Sequence, residues 1–118
     1  MKLSAIREIL GAAVLTGESD AKLQEVEISN ACGSDLISDV LAFVKDQSLL
    51  LTGLINSQVI RTAEMMDIVA ICFVRGKVPP ADVVELAGER GIALISTEVP
   101  LYVACGKLYE QGLGGSAK

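Results

Sequence analysis

The second half of the chain repeats one pattern: a short run of apolar residues, a turn, then a helix-like stretch. The apolar runs are "SLLLTG", "IVAICFV" and "IALIST", beginning at Ser48, Ile68 and Ile92. Runs of this length that are apolar on both faces suit strands of a parallel sheet covered by helices. Strand–helix–strand crossovers are nearly always right-handed, which leaves few topologies. This pattern constrains the fold more than any other feature.

The helices between the runs can be read from their spacing. "LINSQVIRTAEMMD" places Ile55, Val59, Ala63 and Met66 on one side. "PPADVVELAGERG" carries Pro80 at a position suited to the first helical turn and Gly91 at its stop. "EVPLYVACGKLYEQG" packs Leu101, Ala104, Cys105 and Leu108. The first half is less regular. "LSAIREILGA" puts Leu3, Ile6 and Leu10 on one helical face, with Ser4 as a candidate cap and Gly11 as a stop. Ala13-Val14-Leu15 reads as a short strand. Leu23, Val26 and Ile28 read as a second one, after the turn "TGESD". "GSDLISDVLAFVKDQ" reads as a helix capped by Ser34 or Asp35. Its expected buried face is Leu36, Val40 and Phe43, flanked by Ile37, Leu41 and Val44. The expected fold is therefore α/β: a mostly parallel sheet of strand–loop–helix units covered by helices, with a smaller N-terminal helix and strand part. Residues 1–113 are expected to form a single domain, and 114–118 a flexible tail.

At 118 residues the chain can bury a core without staples. Aromatic residues make up 3% and Trp is absent, so aliphatic side chains and Ala must fill that core. A net charge of −5 argues against nucleic acid, which needs a clustered cationic surface. No stretch approaches the ~18 apolar residues of a membrane span. Arg7 and Glu8 interrupt the place where a signal peptide would be apolar. A cytoplasmic location without membrane contact is expected. Cys32, Cys72 and Cys105 are far apart, and His is absent. That spacing offers no zinc site, and the thiols read as small apolar groups. No metal, no cofactor and no catalytic residue is expected. Ser–His and Cys–His catalysis are unavailable without His.

Open α/β sheets collect ligands outside the carboxyl ends of their strands. Three loops would meet there. They hold Thr52 and Gly53; Arg75, Gly76 and Lys77; and Ser96 and Thr97. Gly53 and Gly76 allow close backbone approach, the hydroxyls add hydrogen bonds, and Arg75 can grip a carboxylate or phosphate with two bonds. These seven residues are the candidate site for a small anionic ligand, a nucleotide or a phosphate. The same residues also read as ordinary turn and cap chemistry, with Arg75 and Lys77 standing in water. Neither "RGKVPP" nor "GLGGSAK" meets the phosphate-loop pattern. Asp35 and Asp39, four apart, could hold a hard cation such as magnesium or simply be solvated. Arg61 could pair with Glu64 or Asp67 on its helix.

Residues 50 to 113, through "LLLTGL", "AEMMDIVAICFVRGKVPPADVVELAGERGIALIST" and "CGKLYEQGL", resemble the DRTGG domain. The first half fits through "LSAIREILGAAVLTGE" and "VEISNACGSDLISDVLAFV". That module accompanies some phosphotransacetylases and CBS-containing pyrophosphatases, and is similar to the N-terminal, non-kinase domain of HPr kinase/phosphorylase. Where the family name motif would stand, this chain reads Leu51-Thr52-Gly53-Leu54, so family ligand roles are not carried over. Small free-standing proteins that look like this one accompany iron-hydrogenase gene clusters. The resemblance implies a non-catalytic regulatory, ligand-sensing or adaptor domain. It would be a homodimer with a redox-complex protein as a possible partner. Two alternatives stand beside it: a phosphotransferase or metal-assisted hydrolase using Asp35 and Asp39, and a purely structural assembly protein.

Overall fold

The strands lie side by side in the order β1-β5-β4-β3-β2 in a computed structural model that describes residues 1–43 and 47–115. In chain order the elements are α1 (Leu3–Leu10), β1 (Ala13–Val14), α2 (Asp20–Glu25), β2 (Asn30–Gly33), α3 (Ile37–Phe43) and β3 (Ser48–Thr52). They continue with α4 (Ser57–Met65), β4 (Ile68–Phe73), α5 (Ala81–Glu89), β5 (Ala93–Ser96) and α6 (Leu101–Glu110). β2, β3, β4 and β5 are mutually parallel, and β1 pairs antiparallel with β5 at one edge. The fold is thus α/β with a mostly parallel sheet.

Side chains on a strand alternate between faces, and the core divides accordingly. Leu49, Leu51, Ala70, Cys72, Ala93 and Ile95 meet α1, α2 and α6 on one face. Leu50, Ile71, Phe73 and Leu94 meet α3, α4 and α5 on the other. Every residue of β3 is buried, which is why its sequence shows no polar alternation. The crossover helices α3, α4 and α5 share one face because each joins neighbouring parallel strands with the same hand. The opposite face is closed by the two ends of the chain, α1 and α6, which pack on each other.

The N-terminal half departs from its sequence pattern. Residues Asp20–Glu25 form α2, not a strand; Ser19 accepts the Lys22 N–H at 3.2 Å, so "SDAKLQE" is an N-capped helix. Leu23 and Ile28 are still buried, as single anchors of a segment that wraps α1. The strand in this region is "NACG", β2, which has too few large apolar residues to announce itself. α1 is preceded by Lys2 rather than capped by Ser4, and Gly11 ends it in the left-handed conformation as expected. In α3, Val40 is buried but Leu36 is 57% exposed and Leu41 is exposed too. The helix begins at Ile37, so Leu36 stands just before it, and Leu41 falls on its solvent side. The side chain of Phe43, Val44, and residues 116–118 of the expected tail lie outside the described residues. The Ala31 N–H donates to the Gly114 carbonyl at 3.0 Å, so Gly114 and Gly115 run beside the β2 edge. No helix among the described residues is long and apolar enough to cross a membrane.

Candidate functional site

β3, β4 and β5 run parallel, so their exit turns share one rim of the sheet. Thr52-Gly53, Arg75-Gly76-Lys77 and Ser96-Thr97 therefore all lie at this rim, with the β2 exit beside them. β4 leads to α5 on one face and β5 to α6 on the other. Neighbouring strands whose connections diverge in this way open a crevice between their ends, the usual ligand position of α/β sheets.

In this chain the crevice between β4 and β5 is bridged by its own backbone. Val74 accepts the Lys77 N–H at 3.1 Å, and Arg75 and Gly76 both have positive φ, 57° and 70°. That is a type I′ arrangement, which favours Gly or Asn at both central positions. The turn aims its N–H groups at the neighbouring loop. The Arg75 N–H donates to the Val99 carbonyl at 3.0 Å and the Gly76 N–H to the Thr97 carbonyl at 2.9 Å. The Ser96 hydroxyl donates to the Lys77 carbonyl at 2.9 Å. The buried Thr97 hydroxyl donates to the Leu10 carbonyl at 2.7 Å and accepts the Val99 N–H, which ties α1 to the β5 exit. The polar groups of Gly76, Ser96 and Thr97 are thus engaged in holding loops together.

What the rim still offers is charge. The Arg75 side chain is 53% exposed, and Lys77 is exposed and makes no ion pair among the described residues. Two acids face them. The Glu98 carboxylate lies over Gly76, where an added Cβ would come within 2.8 Å of its Oε1. Asp35, from the β2 exit, reaches across β3. Its Oδ1 accepts the Gly53 N–H at 2.6 Å and the Thr52 hydroxyl at 3.1 Å. Its Oδ2 stands 3.6 Å from an Arg75 guanidinium nitrogen. The Thr52 oxygen in turn accepts the Leu54 N–H at 3.1 Å. Gly53 leaves room for this arrangement: an added Cβ would come within 2.7 Å of the Arg75 guanidinium, which would have to shift.

Asp35 is the rim residue that the sequence pattern did not include. The available signal was an acid directly after a strand, but that strand was "NACG". As a cap, Asp35 is displaced: Ser34 accepts the Leu36 N–H at 3.0 Å, while Asp35 turns away to Gly53. Asp39 is in the first turn of α3, and no group of three His, Cys, Asp or Glu side chains gathers into a metal-binding set among the described residues. Asn56 caps α4 by accepting the Val59 N–H at 3.2 Å. Glu64 pairs with Arg90 across to α5 at 3.5 Å, rather than with Arg61.

Burial pushes the Cys72 thiol up to about 12, and it raises Cys32 and Cys105 as well. Thiols held protonated are poor nucleophiles.

No protein-family model and no curated protein matches the sequence. Among solved structures, the chain superposes on the crystal structure of the CBS and DRTGG domains of the regulatory region of Clostridium perfringens pyrophosphatase, complexed with the activator diadenosine tetraphosphate. The TM-score is 0.68 at 14% identity, over 91% of this chain and 45% of that one. The fold is of the DRTGG type. The chain spans about half the length of that regulatory region. Within this DRTGG-type fold the segment Leu51-Thr52-Gly53-Leu54 forms the β3 exit, where Asp35 binds it.

Proposed function

We propose that this chain is a non-catalytic regulatory domain that binds a small anion, a nucleotide or phosphate, at the strand-exit rim. The observation that carries this reading is the presence of Arg75, Lys77, the Thr52 hydroxyl and the Gly53 N–H on one edge of the sheet. Arg75 supports it further. A type I′ turn favours Gly or Asn at its first central position, and an arginine there tolerates a left-handed backbone that costs roughly 1 kcal/mol. The DRTGG-type neighbour supports the regulatory part, being a regulatory region bound to a nucleotide activator. No catalytic role is assigned to any residue. The rim holds donors without a nucleophile, and the Asp35 oxygens already accept two hydrogen bonds.

Titration calorimetry with ADP, diadenosine tetraphosphate and inorganic phosphate tests the proposal. Arg75→Gly is the informative variant. It suits the φ of 57° and should keep stability within about 0.5 kcal/mol of the parent, yet removes the guanidinium. Binding by the parent that weakens at least tenfold in Arg75→Gly is expected. Failure of all three compounds to bind to the parent or to any rim variant ends the anion reading.

A second reading, assembly through α6, is favoured by a separate observation. Tyr102 and Tyr109 are the two tyrosines of the chain, and they stand 88% and 75% exposed on one helix. Exposed aromatic side chains grouped this way mark protein contacts. A homodimer, or docking to a redox-complex partner, would use this face and leave the rim free.

A further inference from the structure

Resting on the anion-binding reading, we infer that Asp35 is a built-in competitor for the rim, and that its carboxylate occupies the position of a ligand's phosphoryl group. The donors that could address a phosphoryl oxygen are the Gly53 N–H, the Thr52 hydroxyl and the Arg75 guanidinium. All of them converge on this one carboxylate, at 2.6, 3.1 and 3.6 Å. A carboxylate and a phosphoryl group present the same kind of acceptor, two or more anionic oxygens able to take hydrogen bonds from N–H, O–H and guanidinium. The donor set is therefore assembled and charged, and it is satisfied from within.

Two features make this contact displaceable rather than a fixed part of the core. Asp35 is 45% exposed and Arg75 53% exposed, and an ion pair that open to water is weak. In addition, Asp35 lies in the loop between β2 and α3, before the helix starts at Ile37. It can swing away without breaking a helical hydrogen bond. The electrostatics agree. With Asp35 and Glu98 in place, the two acids offset Arg75 and Lys77, and an arriving anion meets a rim of no net charge. With Asp35 turned out, the cations dominate. The ligand and Asp35 thus exclude one another, and binding is coupled to movement of the β2–α3 loop.

Affinity measurements on charge-matched variants separate the possibilities. ADP is titrated into the parent, Asp35→Ala, Asp39→Asn and the double variant Asp35→Ala/Arg75→Gly. Asp39→Asn makes the same net-charge change four residues away and controls for bulk charge. Removal of the competing carboxylate is expected to tighten ADP binding about tenfold, since like charges facing one ligand oppose it strongly. Asp39→Asn should match the parent, and the double variant should lose the gain. The same gain is expected with inorganic phosphate; a gain confined to ADP would overturn the phosphoryl assignment. Should Asp35→Ala not fold, Asp35→Asn keeps an acceptor for Gly53 while freeing Arg75, and a gain of about threefold is expected from it. If the parent binds ADP and loss of the Asp35 charge leaves affinity unchanged or weaker, the competitor role is wrong and the anion site stands. If neither the parent nor any variant binds ADP or phosphate, the site itself is wrong.

Discussion

Cys72 shows how a single buried group sets a pH limit. It is the penultimate residue of β4, fully covered, and burial pushes its thiol from the ordinary 9.0 up to about 12. The unfolded chain releases that proton near 9, whereas the folded chain holds it until about 12. Stability from this group is complete below pH 9 and declines as pH rises between those values. Comparing denaturation midpoints of the parent and Cys72→Ala at pH 8 and pH 10.5 should show the parent losing more on alkalinisation. In a Cys32→Ala/Cys105→Ala background the native Cys72 thiol should also resist maleimide at pH 8 while the urea-unfolded chain reacts; fast labelling of the folded protein there would contradict the assignment. Residue types at the rim were legible in advance, since Arg75, Lys77, Thr52 and Gly53 all reach one edge. Their bonding was not. Nothing in "RGK" tells that its N–H groups point at Thr97 and Val99, because that depends on where the next loop passes.

Among the elements, β2 and α6 meet closely at Gly33. A Cβ on Gly33 would stand 2.5 Å from Cys105 Sγ and 3.3 Å from Leu101 Cδ1. Gly33 therefore lets α6 settle on the end of β2. Gly33→Ala should cost about 1–3 kcal/mol by overpacking, measured by urea denaturation. In a Cys105→Ala background the same substitution should cost about 1 kcal/mol less, because the sulfur that blocks it is gone. Equal costs in both backgrounds would show that α6 yields freely. The elements of the second half were readable from sequence because each is long, apolar and cleanly punctuated by Gly or Pro. β2 and α2 were not. The former draws its order from pairing with β3, and the latter is a two-turn helix whose single buried residue, Leu23, leaves no period to detect.

For the molecule as a whole, the proposed assembly rests on the α6 face. Two tyrosines flank Gly106 on the exposed side of this helix, a small residue that leaves room for a close partner. Light scattering at micromolar concentration should give twice the 12.4 kDa chain mass, and Tyr102→Glu with Tyr109→Glu should return the single mass. A parent already of single mass would remove self-association as a function. The α/β class and the direction of the strands in the second half were evident from their two-sided hydrophobicity. The short strand at Ala13–Val14 was legible too, but its antiparallel direction was not, since that is set by its pairing with β5 rather than by any pattern of its own.

The path of the chain has one more effect. The Met1 amine donates to the Ile28 carbonyl at 2.9 Å, and the Gly114 carbonyl accepts from Ala31 three residues further on. Beginning and end thus meet the same stretch of backbone. Loosening either contact would reach the entry of β2, the strand whose exit brings Asp35 to Gly53.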